Sequence, residues 1–292
     1  AAYMLKGNVT VRSKAPVSGF EVADGKITGV RVRGTRITGT SYVLATGGLS
    51  RPETGSTGEG FEWLKEIGHT VNTAEAALVP IKTKEPWVKT LAGVALDKVK
   101  ITTFQNNTKQ QVAHGKVLFT HVGLSGPAIL NMSSEIGELL KYGDVHVEID
   151  LLPTLDYGQL NERLQALFKK HHVKKIKNAL GDSIPTTCTS IVLWLAGIDE
   201  DKACNSVTRD ERNTLVKALK HIRMEVTELL GLDKAVVTSG GVALEEVNWK
   251  TMQSRKYSNL FLVGDVLDID RPSGGYSLQV CWTTGHVAGK NA

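Results

Sequence analysis

The chain has 292 residues, 41% of them hydrophobic and 22% charged; this is an ordinary globular balance for one large domain or two smaller ones, without repeats or low-complexity segments. Cys188, Cys204 and Cys281 are odd in number, widely spaced and without a CxxC pair, which excludes a disulfide framework and a zinc site and fits a reducing, cytoplasmic setting. No apolar run approaches the ~20 residues of a membrane span, so no membrane partner is expected, and the net charge of +5 falls mainly in residues 1–40 and in KKHHVKKIK at 169–177, which read as solvated faces.

The sequence opens AAYMLKGN, without an initiator Met and as if entered within a structural unit, so a fragment or a processed end is expected. Residues 8–43 alternate apolar and polar side chains between breaks at Ala23-Asp24-Gly25 and Arg33-Gly34-Thr35, which predicts a meander of about three strands. The strand at 42–45 runs into Thr46, Gly47 and Gly48, small residues that let a planar or phosphate-bearing ligand approach the backbone. A helix is predicted over 59–67, capped by Ser56 or Thr57 and ended by Gly68, and His69 behind it reads as a structural polar residue.

From Glu75 the texture changes to short strand-like segments at 77–83, 91–104 and 111–119, which predict a small antiparallel sheet or barrel. Residues 120–127, THVGLSGP, lead into a helix with Ser125 as N-cap and Pro127 in its first turn. His121 beside that start reads first as a locally bonded cap-region residue and second as a proton handler in a cleft. Residues 145–149 form an alternating strand. Helical spacing then covers 157–172, 174–180, 187–195 and 208–222, with caps at Thr154, Ser183 and Thr208. At 234–242 the strand-then-glycine pattern of the amino-terminal part returns.

The stretch at 259–289, NLFLVGDVLDIDRPSGGYSLQVCWTTGHVAG, places strand, acidic turn, glycine loop and helix in succession. Residues 260–263 fit a central parallel strand that delivers Gly264 and Asp265 to the carboxyl edge of a sheet, where ligands of open α/β sheets collect. The helix begins at Gly274-Gly275. Its unpaired N–H groups, dipole and lack of a Cβ suit an anionic or electron-rich ligand atom.

The blocks YVLATGG, RPETGSTGEGF, GHTV, LFTHVGLSGPAIL, VTSGGVALEEVN and the 259–289 stretch, in that order, resemble the aminoacetone oxidase-like flavoproteins, relatives of the glutathione-reductase-type FAD enzymes, over essentially the whole chain. The resemblance implies an α/β fold: an interrupted, Rossmann-like FAD-binding domain at 1–74 and 234–292, around a substrate domain at 75–233 that is barrel-like over 75–150 and helical over 151–233. It places Ala45, Thr46, Gly47 and Gly48 near the adenosine and pyrophosphate of FAD, Gly264 and Asp265 near the ribityl–pyrophosphate region, and Gly274, Gly275, Tyr276 and Ser277 at the flavin ring. A helix start there would stabilise the negative charge of a reduced flavin. Arg271 adds charge close by. The family's amino-terminal strand and G-x-G-x-x-G turn do not occur in this sequence, so strong FAD binding is expected of the complete protein rather than of this piece.

The implied function is an FAD-dependent oxidoreductase acting on a small organic molecule, either oxidising an amine or reducing an unsaturated carbonyl with NAD(P)H as electron donor. No residue declares itself a catalytic acid or base, and His121 is the one candidate. The alternative is a non-enzymatic nucleotide- or nucleic-acid-binding module. No aromatic residue interleaves the 169–177 run, so no nucleic-acid partner is expected.

Overall fold

The computed structural model describes residues 4, 6–231, 235 and 237–292, without the side chains of residues 73–76. The expected meander is a three-stranded antiparallel sheet of β1 (Val17–Ala23), β2 (Lys26–Val32) and β3 (Thr35–Ile37). Its turns put Asp24 and Gly25, then Arg33 and Gly34, at positive φ, the backbone that two-residue hairpins require. β4 (Tyr42–Leu44) leaves this sheet. α1 (Glu59–Glu66) follows, capped by Gly58 in the left-handed region rather than by Ser56 or Thr57.

β5 (Val71–Ala77) pairs with a strand far along the chain. A closed six-stranded barrel then forms from β6 (Ile81–Thr83), β7 (Ala95–Gln105), β8 (Thr108–Phe119), β9 (Gly123–Ser125), β10 (Val145–Asp150) and β11 (Ile222–Leu229). Period-two alternation turns Ile101, Val117, Phe119, Val147, Ile149 and Met224 into an apolar core, each 0–1% exposed. Between β9 and β10 runs α2 (Pro127–Leu140), which packs Ile129, Met132 and Ile136 against that core. Its N-cap is Gly126, one residue beyond the expected Ser125.

The helical piece contains α3 (Tyr157–Lys170), α4 (Ile176–Leu180), α5 (Thr186–Leu195) and α6 (Arg209–Lys220). Asp156 caps α3 instead of Thr154, because Gln159 at N3 completes a capping box with it. Pro185 rather than Ser183 precedes α5, whereas Thr208 caps α6 in a box with Glu211. Ile222, expected in the last helix, instead begins β11, which pairs with β10 and β6. Residues 222–229 thus belong to the barrel and not to the helices.

The strand expected from Lys234 is β12 (Val237–Val242); Lys234 and Val236 lie outside the described residues. β12 pairs with β5. β13 (Val247–Asn248), β14 (Gln253–Ser254) and β15 (Leu260–Leu262) form a four-stranded sheet with β4. β15 and β4 are parallel, Leu260 facing Tyr42 and Leu262 facing Leu44. α7 (Tyr276–Asn291) ends the chain. Two compact units result: Ala1–Ala76 with Val237–Arg271 and Gly275–Ala292, and Ala77–Val236 with Pro272–Gly274. Among the described residues no helix is long and apolar enough to cross a membrane.

Candidate functional site

The carboxyl ends of the parallel pair β4–β15 and the start of α7 meet in the first unit. β15 is buried throughout, and the chain leaves it through a 3-10 turn, Gly264–Val266, with Gly264 at φ +70. The amide of Gly264 donates to Thr284 Oγ1 at 3.0 Å, and the Thr284 hydroxyl donates to Val280 O at 2.7 Å. One buried hydroxyl therefore locks the strand end onto the helix.

Arg271 does the same for the loop. Its side chain is 3% exposed, forms an ion pair with Asp265, and donates from Nε to Ser277 Oγ at 3.0 Å. A buried guanidinium needs such partners. The charge that Arg271 was expected to add is thus largely neutralised by Asp265, and the arginine staples the acidic turn to the first turn of α7. Cys281 Sγ lies 3.8 Å from the same Asp265 oxygen. Burial first, and then the Asp265 charge, raise the pKa of this thiol, so it is held as the neutral form.

β12 closes the corner from the other side. Thr238 Oγ1 accepts from the amides of Leu49 and Ser50 at 2.7 and 3.0 Å. A Cβ on Gly48 would stand 2.4 Å from that oxygen and 3.3 Å from Asp265 O. Only glycine permits this approach of the Thr238 side chain to the backbone at 48. Gly48, Gly264 and Asp265 are thereby brought together with Thr238, while Gly47 lies beside Ser56. Ala45 is exposed. Thr46 Oγ1 is buried without a partner among the described residues.

α7 itself starts openly. Its N-cap, Gly275, has φ +92, no side chain caps the helix, and a Cβ on Gly275 would meet nothing within 4 Å. By contrast α3 and α6 both carry capping boxes. Tyr276 is exposed and Ser277 half-buried at this start. Gly274, at φ +113, groups with the second unit, where its neighbour Ser273 donates its amide to Asn131 Oδ1 at 2.8 Å. An uncapped helix start facing open space, with its loop fixed by a buried arginine, fits an electron-rich group such as a flavin carbonyl.

His121 is exposed in the β8–β9 turn and has no protein partner among the described residues. His69 is different. Its buried ring donates from Nδ1 to Glu246 Oε2 at 2.5 Å and accepts at Nε2 from Ser254 Oγ at 3.0 Å. Ser254 Oγ in turn accepts the amides of Lys256 and Tyr257, each at 3.1 Å. This Ser–His–Glu row is a sealed structural network, with Ser254 4% exposed. Burial lowers the pKa of His69, opposed by its bond to Glu246. Burial tends to raise that of Glu246, but bonds from Lys256, Thr70 and His69 bring it down to about 2.

Sequence reasoning missed Thr238, Thr284 and the stapling role of Arg271, since their partners lie up to 189 residues away. The usable signal was the small polar residue beside each glycine at a strand end. Among the described residues no group of three His, Cys, Asp or Glu side chains could hold a metal ion.

Strand-end glycines, a parallel strand pair and an open helix start in one unit, and a closed six-stranded barrel in the other, define a mixed α/β protein. Residues 75–237 match the family described as "HI0933-like protein barrel and H2TH domain", and the chain belongs to that family. It is 33% identical, over 96% of its length, to the "Ribosomal RNA dihydrouridine synthase" of Escherichia coli (strain K12), and covers 67% of that protein. It is 30% identical to the protein of the same name from Haemophilus influenzae, over 85% of this chain and 59% of the relative. To the "3-dehydro-bile acid delta(4,6)-reductase" of Clostridium scindens it is 28% identical, over 90% of this chain and 64% of the relative. The chain thus spans about two thirds or less of these relatives.

These names are enzyme names of oxidoreductase type, and none of the three is an aminoacetone oxidase. They also correct one expectation. The chain was read as having no nucleic-acid partner, yet two relatives are named for a modification of ribosomal RNA. The expectation relied on a single contiguous run. Lys175 and Lys177 of that run are paired with Asp201, so the run is a poor gauge; single-stranded RNA is gripped by cations and rings gathered from separate elements.

Proposed function

We propose that this chain is the greater part of an FAD-dependent reductase that saturates a carbon–carbon double bond conjugated to a carbonyl, with uridine in RNA as the favoured substrate class. The observation that supports it is the open start of α7, uncapped at Gly275 and held to Asp265 through Arg271. The relatives' names support the reaction: a dihydrouridine synthase and a delta(4,6)-reductase both describe addition of two hydrogens across an unsaturated bond. We read β4, β12, β15 and α7 as part of a Rossmann-like cofactor layer, and residues 75–233 as the substrate-facing insertion.

A bound FAD would supply the hydride, drawn from NAD(P)H. This chain's own part is to hold and orient it. Gly48 and Gly264, packed against Thr238 and Cys281, would set the two strand ends beside the ribityl–pyrophosphate chain, with Ala45, Thr46 and Gly47 beside the adenosine. The first-turn amides of α7, from Tyr276 and Ser277 behind Gly274 and Gly275, would stabilise the end of the ring that becomes negative on reduction. His121 is the candidate for delivering the proton, because it is exposed and has no partner among the described residues.

The test is to express the protein with whatever segment its gene places before Ala1, record its flavin spectrum, and incubate it with unmodified ribosomal RNA and NADPH or NADH. The expected result is a yellow protein that converts uridine to dihydrouridine, read as a mass gain of two hydrogens. A colourless protein would remove the flavin reading, and a yellow one that leaves RNA unchanged would remove the substrate.

A further inference from the structure

The second unit carries a cleft of about 550 Å³, walled on one side by the outward faces of β7 and β10 and on the other by residues 153–159 at the start of α3. Alternation places Lys100, Thr102 and Phe104 on one face of β7, opposite Asp150, Glu148 and His146 of β10. Lys109 stands opposite Phe104 on β8. The Phe104 ring stacks on His146 with centroids 4.8 Å apart and planes 5° from parallel.

The acidic groups of the cleft are already engaged. Glu148 accepts from His221 Nδ1 at 2.6 Å, and the other ring nitrogen of His221 bonds to the Tyr157 hydroxyl. Lys220 pairs with Asp150 at 2.6 Å and donates to Leu155 O at 2.7 Å. Asp156 caps α3. Lys100 and Lys109 have no carboxylate partner among the described residues, so the cleft has two cations to offer an anionic ligand. Tyr157 is 49% exposed. Burial first, then the charges of Asp150 and Glu148, hold its pKa up. It is therefore no nucleophile but a neutral ring with a hydroxyl fixed by His221. A ring face with free lysines around a concave floor suits an unpaired base with its phosphates; a duplex hides its base faces, and an acidic peptide leaves the rings unused.

We propose that this cleft docks a short single-stranded segment of RNA, with a base on Tyr157 and backbone phosphates at Lys100 and Lys109. This rests on the reading that the protein acts on RNA.

The experiment uses the 292-residue chain and a short fluorescein-labelled single-stranded RNA of mixed sequence, followed by anisotropy over a range of salt concentrations. Replacing both lysines, Lys100→Gln with Lys109→Gln, is expected to weaken binding about tenfold at low salt and to reduce the slope of log K against log salt by about 1.4, at ~0.7 per phosphate for single strands. Tyr157→Leu is expected to weaken it about tenfold with the slope unchanged, the signature of lost stacking. The same charge change at Lys169 and Lys170, in the last turn of α3, should leave binding as it was. All these positions are at the surface, and unchanged thermal melting verifies each fold. Wild-type affinity in the cleft variants, with RNA still bound, would overturn the cleft and spare the RNA reading. No RNA binding by the unaltered chain would overturn both, and competition by polyglutamate as strong as by RNA would overturn the docking of a base on Tyr157.

Discussion

In the second unit the barrel and the helices share one apolar core, in which Ile101, Ile149, Leu164, Leu193 and Leu219 are each at most 1% exposed. In the first unit a smaller apolar core runs from Phe20 and Ile27 through Leu44, Phe61, Val242 and Leu260 to Ala288, and polar side chains tie its strand ends and loops: Thr238, Arg271, Thr284, and the row Ser254–His69–Glu246. On α7, Tyr276, Leu278 and Trp282 are left more than half exposed. One unit is stable mainly through area removed from water; the other adds to its smaller core a set of directed bonds, which fix geometry more than they add stability. A surface that must hold a ligand in register is better built the second way.

The largest effect should come from opening the apolar core. Phe119→Ala, at a position 1% exposed, is expected to destabilise the second unit by about 4 kcal/mol, read as a lowered urea midpoint. A loss below ~1 kcal/mol would mean that the barrel is not the rigid half.

In the first unit His69→Ala strips a partner from Glu246 and from Ser254 at once, and is expected to cost about 3 kcal/mol. The same network should make this unit acid-sensitive. The folded pKa of His69 lies below the ordinary 6.5, so the unfolded chain binds more protons and stability begins to fall as pH drops through about 6.5. Glu246 contributes stability that is complete above 4.5 and lost as pH falls towards about 2. Glu246→Gln should abolish that second loss. Urea titrations of both proteins across this range provide the check, and parallel curves below 4.5 would remove Glu246 from the account.

Arg271→Gln is a smaller change. It breaks the ion pair with Asp265, whose side chain is 23% exposed and thus partly screened, and weakens the bond to Ser277. About 2 kcal/mol is expected, together with faster amide exchange in residues 272–277. Unaltered exchange would show that the loop holds itself.

How far the sequence disclosed these arrangements depends on how local they are. The strand at Leu260, the turn at Gly264 and the helix start at Gly275 are written in consecutive residues, and period and turn chemistry expose them. The contact of Gly48 with Thr238 joins residues almost two hundred positions apart, and nothing local marks it. Ile222 reads as helix because it continues the spacing of α6, and only closure of the barrel makes it a strand. The cleft side chains Glu148 and Asp150 were visible as the polar phase of VHVEID, but their partners His221 and Lys220 come from the end of α6, whose packing no pattern announces. The capping boxes at Asp156 and Thr208 were legible in principle from Gln159 and Glu211 three residues on.

The smallest effect on stability is expected at Gly275, and there the contrast between a structural and a ligand-holding corner becomes sharpest. Gly275→Asn places a side chain at a position with φ +92, a region that asparagine tolerates better than other residues. Asparagine is also a good N-cap, so the new amide can meet α7 amides that no side chain now caps. Stability should change by less than ~1 kcal/mol in either direction. If the helix start serves only the fold, nothing else changes. If it holds an electron-rich ligand, the side chain enters the open space in front of Gly275 and competes for the same amides. Flavin content of the complete protein should then fall severalfold, and the potential of what remains should drop, because the positive end of the helix no longer faces the reduced ring. A variant that melts like the parent and retains its flavin at the same potential would remove residues 264–277 from the cofactor site.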